Sequence, residues 1–251
     1  MAQKGFIEPG EKPRRFYSEV TVAPGPGPGG WSVLLDGRAP RSSRGAALTA
    51  PTLAVAELAA AEWAAQAEHL DLAVMHATRL AFTALEAVPQ ARAGVADQLV
   101  SYAGSDLLCY PAEAPEGLCA RQAEAWEPVL RRARDELGIA LQPSRGILHR
   151  EQPGEALEAV RRLALSVDDF TLSGLAFGAP LFGSTVLALG LWKGWFGGEE
   201  AFDLSRVDEA WQESQWGIDA EAAERTARLR SEARMLEAWF RGLEAPAVSP
   251  A

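Results

Sequence analysis

A run of 23 residues without a charged side chain, Phe170–Trp192, limits the folds open to this chain. Its length is enough to span a bilayer. Five residues would interrupt a continuous helix through it: Gly174, Gly178, Pro180, Gly183 and Ser184. No cluster of Lys or Arg flanks the run, and Asp168 and Asp169 precede it directly. The run is therefore predicted to be a buried hairpin or a broken core helix, and no membrane insertion is expected.

The N-terminal part of the chain carries the pattern of short strands. Phe16–Val22 alternates between two faces, and Trp31–Leu35 is a second short apolar segment. Between them, residues 23–30 consist largely of proline and glycine, which predicts a connecting loop. An Asp-Gly dipeptide at 36–37 predicts a tight turn into a third short strand near Arg38–Ser42. The N-terminus is therefore predicted to be a small β-meander.

In the rest of the chain, apolar residues recur at helical spacing. Val55, Ala59 and Trp63 repeat every four residues and predict one buried row on a helix. Further helical patterns cover Pro115–Leu137, Glu155–Ser166, Leu204–Gln215 and Ala222–Leu243. The last of these alternates apolar residues in steps of four and three, which predicts a continuous apolar seam.

The order of these elements predicts the fold class. Strands followed by helices predict an α+β protein. We expect a small N-terminal β-containing domain over residues 1–70 and a multi-helical C-terminal domain over residues 71–251. A chain of 251 residues is long enough to bury one large core or two modest ones.

Charge is distributed unevenly along the chain. Residues 1–50 hold seven Lys and Arg against four Asp and Glu, whereas residues 51–251 hold 17 against 30, and the formal net charge is −10. A chain this acidic repels phosphate backbones, and no compact basic patch offsets the charge, so no nucleic-acid partner is expected. A basic or mixed-charge protein surface is the partner that this balance favours.

The N-terminal residues and the cysteines bear on location. The first residues lack the apolar core of a secretion signal, and Glu8 and Glu11 are unusual in a mitochondrial presequence. Cys109 and Cys119 are too few for a disulfide framework and suit a reducing compartment. We therefore expect the chain to be cytoplasmic.

The sequence offers weak candidates for catalytic, metal or cofactor chemistry. The loop at 23–30 has proline at every second position, so it lacks the free N–H groups that a phosphate cradle needs. His69, His76 and His149 have no metal-ligand spacing. Cys109 lies in an apolar run, which predicts a buried thiol rather than a nucleophile. No catalytic residue, cofactor or metal is therefore predicted.

Two of the eight tryptophans stand apart from the expected core. Trp211 and Trp216 lie within residues 199–225, which hold nine acidic and two basic side chains. Core packing is one explanation for the tryptophans, and acids near a helix N-terminus need no partner. Amphipathic aromatics beside exposed charge are, however, typical of protein-binding surfaces. The predicted partner-binding residues are Gln212, Trp216, Asp219 and Glu221.

A series of short motifs resembles one known family. From the N-terminus the motifs are Phe16-Tyr17, Leu35-Asp36-Gly37-Arg38, Glu62-Trp63 with Gln66, Thr78-Arg79-Leu80, Ser105-Asp106-Leu107-Leu108-Cys109-Tyr110, Arg121-Gln122, Trp126-Glu127-Pro128, Gly183-Ser184, Gln212, and Trp216-Gly217 with Asp219. Each motif alone is weak, but their order and spacing from residue 16 to about residue 219 are specific. The chain resembles the assembly chaperones for the alpha subunit of the ATP synthase catalytic head.

This resemblance implies a two-domain α+β fold without catalysis. It implies that the chain binds newly made alpha subunit, prevents its aggregation and hands it over for assembly of the alpha/beta ring. The partner would be the ATP synthase alpha subunit, with no small-molecule substrate. Most studied relatives of this kind act in the mitochondrial matrix, which is the expected location if the chain is eukaryotic. The composition, rich in Ala, Gly and Arg, favours an alpha-proteobacterial cytoplasm instead.

An enzyme of unrecognised type remains the alternative class. Its site would lie in a groove between the two domains, with Asp106, Glu127 and Arg79 as the polar candidates. Recovery of alpha subunit on the chain as bait would favour the chaperone, whereas turnover of a metabolite would favour the enzyme.

Overall fold

The computed structural model describes residues 12–25, 30–144, 150–217 and 219–244. His149, the first eleven residues and most of the Pro-Gly loop therefore lie outside the described residues. The chain divides into two units, one of residues 1–82 with 242–251 and the other of residues 83–241. The first unit holds a small antiparallel sheet and the second is helical, so the predicted α+β class is confirmed.

The sheet has three short strands in the order β1-β2-β3. They are β1 Val20–Pro24, β2 Trp31–Leu35 and β3 Thr49–Ala50. β1 pairs with β2 from Val20 opposite Leu35 to Pro24 opposite Trp31. Because side chains alternate across a strand, Val33 and Leu35 of β2 point to the same face, and both are buried.

The first strand begins later than the sequence pattern predicts. The alternation starts at Phe16, but pairing with β2 starts at Val20. The main-chain N–H groups of Ser18 and Glu19 donate to the carboxylate of Asp36, at 3.1 Å and 2.8 Å, instead of to a neighbouring strand. The Asp36 carboxylate therefore replaces strand pairing at Ser18 and Glu19.

The predicted third strand is in the wrong place. Arg38–Ser42 forms only isolated bridges, and β3 lies at Thr49–Ala50 instead. The Ser42 hydroxyl accepts the N–H groups of the three residues from 44 to 46, each at 3.1 Å. These bonds fold the segment into a turn, since a serine hydroxyl competes with strand pairing for main-chain donors. The third strand, β3, therefore forms only after this turn.

Helix α1, Leu53–Ala64, begins at a polar cap in the first unit. The Thr52 hydroxyl accepts the N–H of Val55 at 3.3 Å and donates to the carbonyl of Gly242 at 2.7 Å. The first bond is the standard N-cap arrangement, which replaces a missing intrahelical partner. The second joins the start of α1 to a residue far along the chain.

The buried row predicted on α1 is confirmed. Val55, Ala59 and Trp63 are all buried. The Trp63 ring meets the Tyr17 ring edge to face, with centroids 5.7 Å apart, and the Tyr17 hydroxyl donates to the Trp63 carbonyl at 2.6 Å. The tryptophan therefore anchors the segment before β1 to the end of α1.

Helix α2, His76–Phe82, begins on a carboxylate from α1. The Glu62 side chain accepts the N–H of Ala77 at 2.7 Å and the N–H of Thr78 at 2.8 Å. Burial raises the pKa of Glu62, and these main-chain donors oppose that rise. Glu62 thus caps α2 and connects the Glu62-Trp63 motif to the Thr78-Arg79-Leu80 motif.

The helices of the second unit begin with α3, Val88–Gly104, which follows a π-helical turn at Thr83–Ala87. The others are α4 Glu116–Leu137, α5 Gly154–Ser166, α6 Asp169–Phe182, α7 Thr185–Trp192, α8 Gly198–Ser205, α9 Val207–Trp216 and α10 Ala220–Glu244. The patterns predicted for α4 and α5 match to within one residue at each end. The single pattern predicted from residue 204 to residue 215 is divided, because Arg206 has non-helical dihedrals of −120° and 19°.

The uncharged run folds as two buried helices. Asp168 caps α6 by accepting the N–H groups of Phe170 and Thr171, at 2.9 Å and 3.0 Å. Gly183 ends α6 in the left-handed region, and the Ser184 hydroxyl caps α7 through the N–H of Leu187 at 3.0 Å. The prediction of a broken core helix is confirmed. Across the described ranges, no helix is both long enough and apolar enough to cross a membrane.

The second half of α10 packs on this hairpin. Trp239 and Phe240 are buried, and a Cβ at Gly174 would lie 2.7 Å from the Phe240 ring. The glycine therefore lets the aromatic ring approach the α6 backbone. The buried part of the seam predicted along α10 is Ala233, Leu236 and Phe240, whereas Ala222 and Leu229 in the first half and Leu243 at the end remain partly exposed.

Candidate partner-binding surface

The predicted binding residues lie on α9 and at the start of α10. Helix α9 has no buried residue. Gln212 and Trp216 are one turn apart on α9 and are both exposed. Gly217, with φ of 82°, ends α9, and Asp219 then caps α10 by accepting the N–H of Ala222 at 2.8 Å. The four predicted residues therefore lie at the end of α9 and the start of α10.

Trp216 has the most exposed large apolar side chain in the part of the chain that the structure describes, at 80%. A single exposed apolar residue is ordinary in a folded protein. Tryptophan is nevertheless among the residues that contribute most to protein–protein binding when they are buried by a partner. Trp216 is therefore the candidate anchor of this surface.

Trp211, only five residues earlier, has a different environment. A Cβ at Gly117 would lie 2.6 Å from the Trp211 ring, so the glycine makes room for the indole on α4. The Arg121 guanidinium lies 4.9 Å from the ring centroid, a cation–π contact. Asp208 also accepts a hydrogen bond from the Gln122 side chain of α4. Trp211 thus attaches α9 to α4, a role that sequence reasoning did not assign because Gly117 lies far away in the sequence.

Arg206 joins the turn before α9 to both later helices. Its guanidinium contacts the carboxylates of Glu209 at 3.2 Å and Glu213 at 3.3 Å. It also donates to the hydroxyl of Thr226 on α10 at 3.4 Å. Two of the nine acids in this span are therefore neutralised within the molecule.

Arg230 neutralises two more acids between α8 and α10. It contacts Glu199 at 2.6 Å and Asp203 at 2.8 Å, and Arg234 contacts Glu199 at 3.2 Å. These ion pairs are partly exposed, so each contributes little to stability by itself. They fix the relative position of α8 and α10 more than they strengthen the fold.

Three of the five acids that remain follow Trp216 closely in the sequence. Glu221 and Glu224 are exposed and make no ion pair with any described residue. Asp219 is exposed and bonds only to the main chain at the start of α10. An exposed indole followed by three unpaired carboxylates suits a partner surface that is both apolar and basic.

Asp106, a candidate of the alternative enzyme class, is fully buried. Its carboxylate accepts the N–H of Leu108 at 3.2 Å and the N–H of Val186 at 3.1 Å. Burial raises the pKa of Asp106 to about 6, although hydrogen bonds from Ser184 and nearby main-chain groups oppose that rise. The carboxylate therefore holds the start of α7 and has no access to a substrate in solvent.

The other two enzyme candidates lie at the surface, and of the two cysteines only Cys109 is buried. Glu127 and Arg79 are exposed, on α4 and α2. Burial raises the pKa of Cys109 to about 12, with the charge of Asp106 as a second cause, so this thiol is a poor nucleophile. Cys119 is partly exposed and donates to the carbonyl of Ala112 at 3.1 Å. Within the described ranges, no group of three or more His, Cys, Asp and Glu is placed to hold a metal ion.

Comparison with known proteins gives the class. Residues 14–134 match the family model of the ATP12 chaperone protein, which places this chain among the chaperones. The fold agrees with crystal structures of the same kind. Atp12 from Paracoccus denitrificans is 37% identical, with a TM-score of 0.80, over 91% of this chain and 97% of that one. A mutant of the same P. denitrificans protein gives a TM-score of 0.81 at 36% identity, over the same shares of the two chains.

A third structure supports the same assignment. The Atu1473 protein of Agrobacterium tumefaciens is 38% identical, with a TM-score of 0.85, over 92% of this chain and 87% of that one. At this identity and coverage the relationship extends well beyond the fold. The chain belongs to the ATP12 family of chaperones, which act in ATP synthase assembly.

Proposed function

We propose that this chain binds the unassembled alpha subunit of ATP synthase, prevents its aggregation and hands it over for assembly of the alpha/beta ring. Membership of the ATP12 family supports a role in ATP synthase assembly. The alpha subunit is the partner that the sequence motifs imply. An unassembled subunit exposes the apolar interfaces that its neighbours later cover, and such patches favour aggregation. We propose the cytoplasm of a bacterium as the place of action.

The observation that carries the proposal is the exposure of Trp216 beside unpaired acids. The indole is 80% exposed, and Gln212 is exposed on the same side of α9. Asp219 and Glu221 follow at the start of α10. We propose that these four residues contact the alpha subunit, with the indole as the apolar anchor and the carboxylates meeting basic groups.

The charge of this surface suits a partner that must later be released. Apolar anchors mainly set the dissociation rate, whereas rim charges mainly set the association rate and its dependence on salt. A surface with one large aromatic side chain and several carboxylates can therefore bind quickly without forming the dry contact of a permanent oligomer. The beta subunit could then displace the chaperone.

Co-expression with alpha subunit tests the proposal. Each variant is compared with the parent for the amount of alpha subunit that stays soluble and co-purifies. Trp216→Ala and the pair Asp219→Ala/Glu221→Ala are expected to lower both amounts. Leu165→Ala is the matched control for loss of an exposed apolar side chain, since Leu165 is 41% exposed on α5.

The salt dependence separates the two kinds of contact. The association rate of the parent should fall as ionic strength rises, and the carboxylate variant should show a weaker fall. Trp216→Ala should dissociate faster with a nearly unchanged association rate. If folded variants bind alpha subunit as the parent does, the binding surface lies elsewhere. If the parent does not bind alpha subunit, the proposed partner is wrong.

A further inference from the structure

Two adjoining clefts run along α4 in the second unit. Their volumes are about 180 Å³ and about 220 Å³. Glu127, Leu130 and Pro143 line both, so the clefts form one continuous depression, which we name the α4 groove. Because Glu127, Leu130, Arg131 and Arg134 follow helical spacing, one face of α4 forms the floor of the second cleft.

The first cleft is apolar. Its walls include Leu108, Pro111, Ala123 and Trp126. Gln122 also lines it, but its carbonyl oxygen already accepts the N–H of Ala112 at 2.7 Å and its amide donates to Asp208. The polar group at the base of this cleft is therefore satisfied, and an apolar side chain can enter without leaving it unpaired.

The second cleft is lined by two arginines and one acid, Glu127, on a chain whose net charge is −10. Arg131 and Arg134 line it together with Leu141. Arg134 contacts Asp135 at 2.8 Å. Arg131 forms no ion pair with a residue that the structure describes, although, after the hydrogen bond from Arg134, its charge contributes to lowering the pKa of Asp135. This cleft can therefore accept an acidic side chain, since guanidinium groups bind carboxylates with two parallel hydrogen bonds.

We propose that the α4 groove binds an extended segment of the alpha subunit, with an apolar side chain in the first cleft and an acidic side chain at Arg131 and Arg134. An extended segment can place one side chain in each cleft, because the two clefts share Glu127, Leu130 and Pro143 as lining residues. Glu127, at the junction, can accept main-chain N–H groups of the segment. The inference rests on the proposed function, because it takes the alpha subunit as the partner.

The α4 groove would give the chaperone a second contact with the alpha subunit, of opposite charge to the surface around Trp216. The surface around Trp216 offers unpaired carboxylates, whereas the second cleft offers guanidinium groups. Two contacts of opposite sign fix the orientation of a partner, because a partner turned the wrong way brings like charges together. Two weak contacts on one chain also reinforce each other through effective concentration.

Cys119 gives a direct test because its side chain lines the first cleft. Cys109 is fully buried and its pKa is raised to about 12, so N-ethylmaleimide should react with Cys119 alone in the folded protein. With alpha subunit at ten times its Kd, alkylation of Cys119 should slow about tenfold. Cys119→Ser, which should not be labelled, confirms the assignment of the reacting thiol.

A charge reversal tests the second cleft. Arg131→Glu should raise the Kd for alpha subunit about tenfold, since it replaces an attraction by a repulsion. Arg162→Glu is the matched control, because Arg162 is an exposed arginine on α5 whose nearest carboxylate, Glu158, is 4.0 Å away. The control should bind within about twofold of the parent. If both variants melt at the same temperature as the parent chain, a folding defect is excluded.

The outcomes separate this inference from the proposed function. If alpha subunit binds but Cys119 is alkylated at an unchanged rate and Arg131→Glu keeps its Kd, the groove is not a contact and the proposed function stands. If alpha subunit does not bind the parent chain, both fail. Protection of Cys119 together with a selective loss for Arg131→Glu establishes the groove as part of the interface.

Discussion

The α6–α7 hairpin and the segment from α9 to the middle of α10 are opposites within one unit. The hairpin has no charge between Phe170 and Trp192, and most of its side chains are buried. Helix α9 has no buried residue, and its contacts include ion pairs, a side-chain hydrogen bond, a cation–π contact and one indole packed against a glycine. Both are helical, so helix formation alone does not distinguish them.

The difference indicates which helices stabilise the second unit and which are free to bind a partner. Apolar burial dominates folding free energy, whereas exposed ion pairs contribute little. The hairpin must therefore carry much of the stability of the second unit. The α9 segment can present Trp216 and its carboxylates to a partner because few of its side chains are committed to the core. Four measurements test this contrast.

The largest effect is expected in the hairpin. Phe182, at the end of α6, is only 2% exposed, so Phe182→Ala should leave a cavity and lower the free energy of unfolding by about 3–5 kcal/mol. Denaturant titration followed by circular dichroism measures the change. Leu165→Ala, at an exposed position, should change it by less than about 0.5 kcal/mol. Equal effects from the two substitutions would contradict the placement of Phe182 in the core.

Asp106 should make the stability of the second unit depend on pH. Its pKa is raised to about 6 in the folded chain, against 3.8 for an ordinary aspartate, so the folded state binds the proton more tightly. Its contribution to stability is therefore fully present below about pH 4 and is lost as pH rises through about 6. A shift of this size corresponds to about 3 kcal/mol.

The Asp106→Asn variant isolates this contribution. It has no carboxyl at this position, so the difference in unfolding free energy between parent and variant should fall as pH rises from 4 to 7. Denaturant titrations at several pH values measure it, and other carboxylates cancel because both proteins share them. A difference that stays constant over this range would show that Asp106 does not have the raised pKa.

Trp211→Ala should loosen α9 without unfolding the rest. The indole lies against Gly117 and beneath Arg121, and α9 has no buried side chain to replace this contact. The expected loss is about 1 kcal/mol, from one packed indole and one cation–π contact at a partly exposed site. Hydrogen exchange should become faster in α9 and stay unchanged in α6. Equal acceleration in both helices would mean that α9 is not separately attached.

Trp216→Ala should have the smallest effect on stability. The side chain is 80% exposed, so its removal should change the free energy of unfolding by less than about 0.5 kcal/mol. Thermal melting of this variant beside Trp211→Ala compares two tryptophans of the same helix. A loss as large as that of Trp211→Ala would show that Trp216 is packed, and it would then be a poor candidate for the binding surface.

Several features followed from the sequence because local interactions decide them. The breaks at Gly183 and Ser184 divided the uncharged run, since glycine reaches the left-handed region and serine caps a helix. Helix α4 ends at Leu137, as predicted, and Gly138 then adopts the left-handed conformation. The buried row of α1 followed from its four-residue spacing. Each signal lies within a few residues of its effect, so no knowledge of distant contacts is needed.

Other features were decided only by contacts between distant parts of the chain. The sequence gives Trp211 and Trp216 the same acidic surroundings, but only Trp211 finds a glycine on α4 to pack against. The N–H groups of Ser18 and Glu19 bond Asp36 instead of a strand, and Arg206 divides a predicted helix while it contacts α10. The α4 groove likewise exists only because the loops at Pro111 and Pro143 lie beside α4. Local sequence propensity does not decide the conformation or contact in these cases. The residues that folding brings close together decide it.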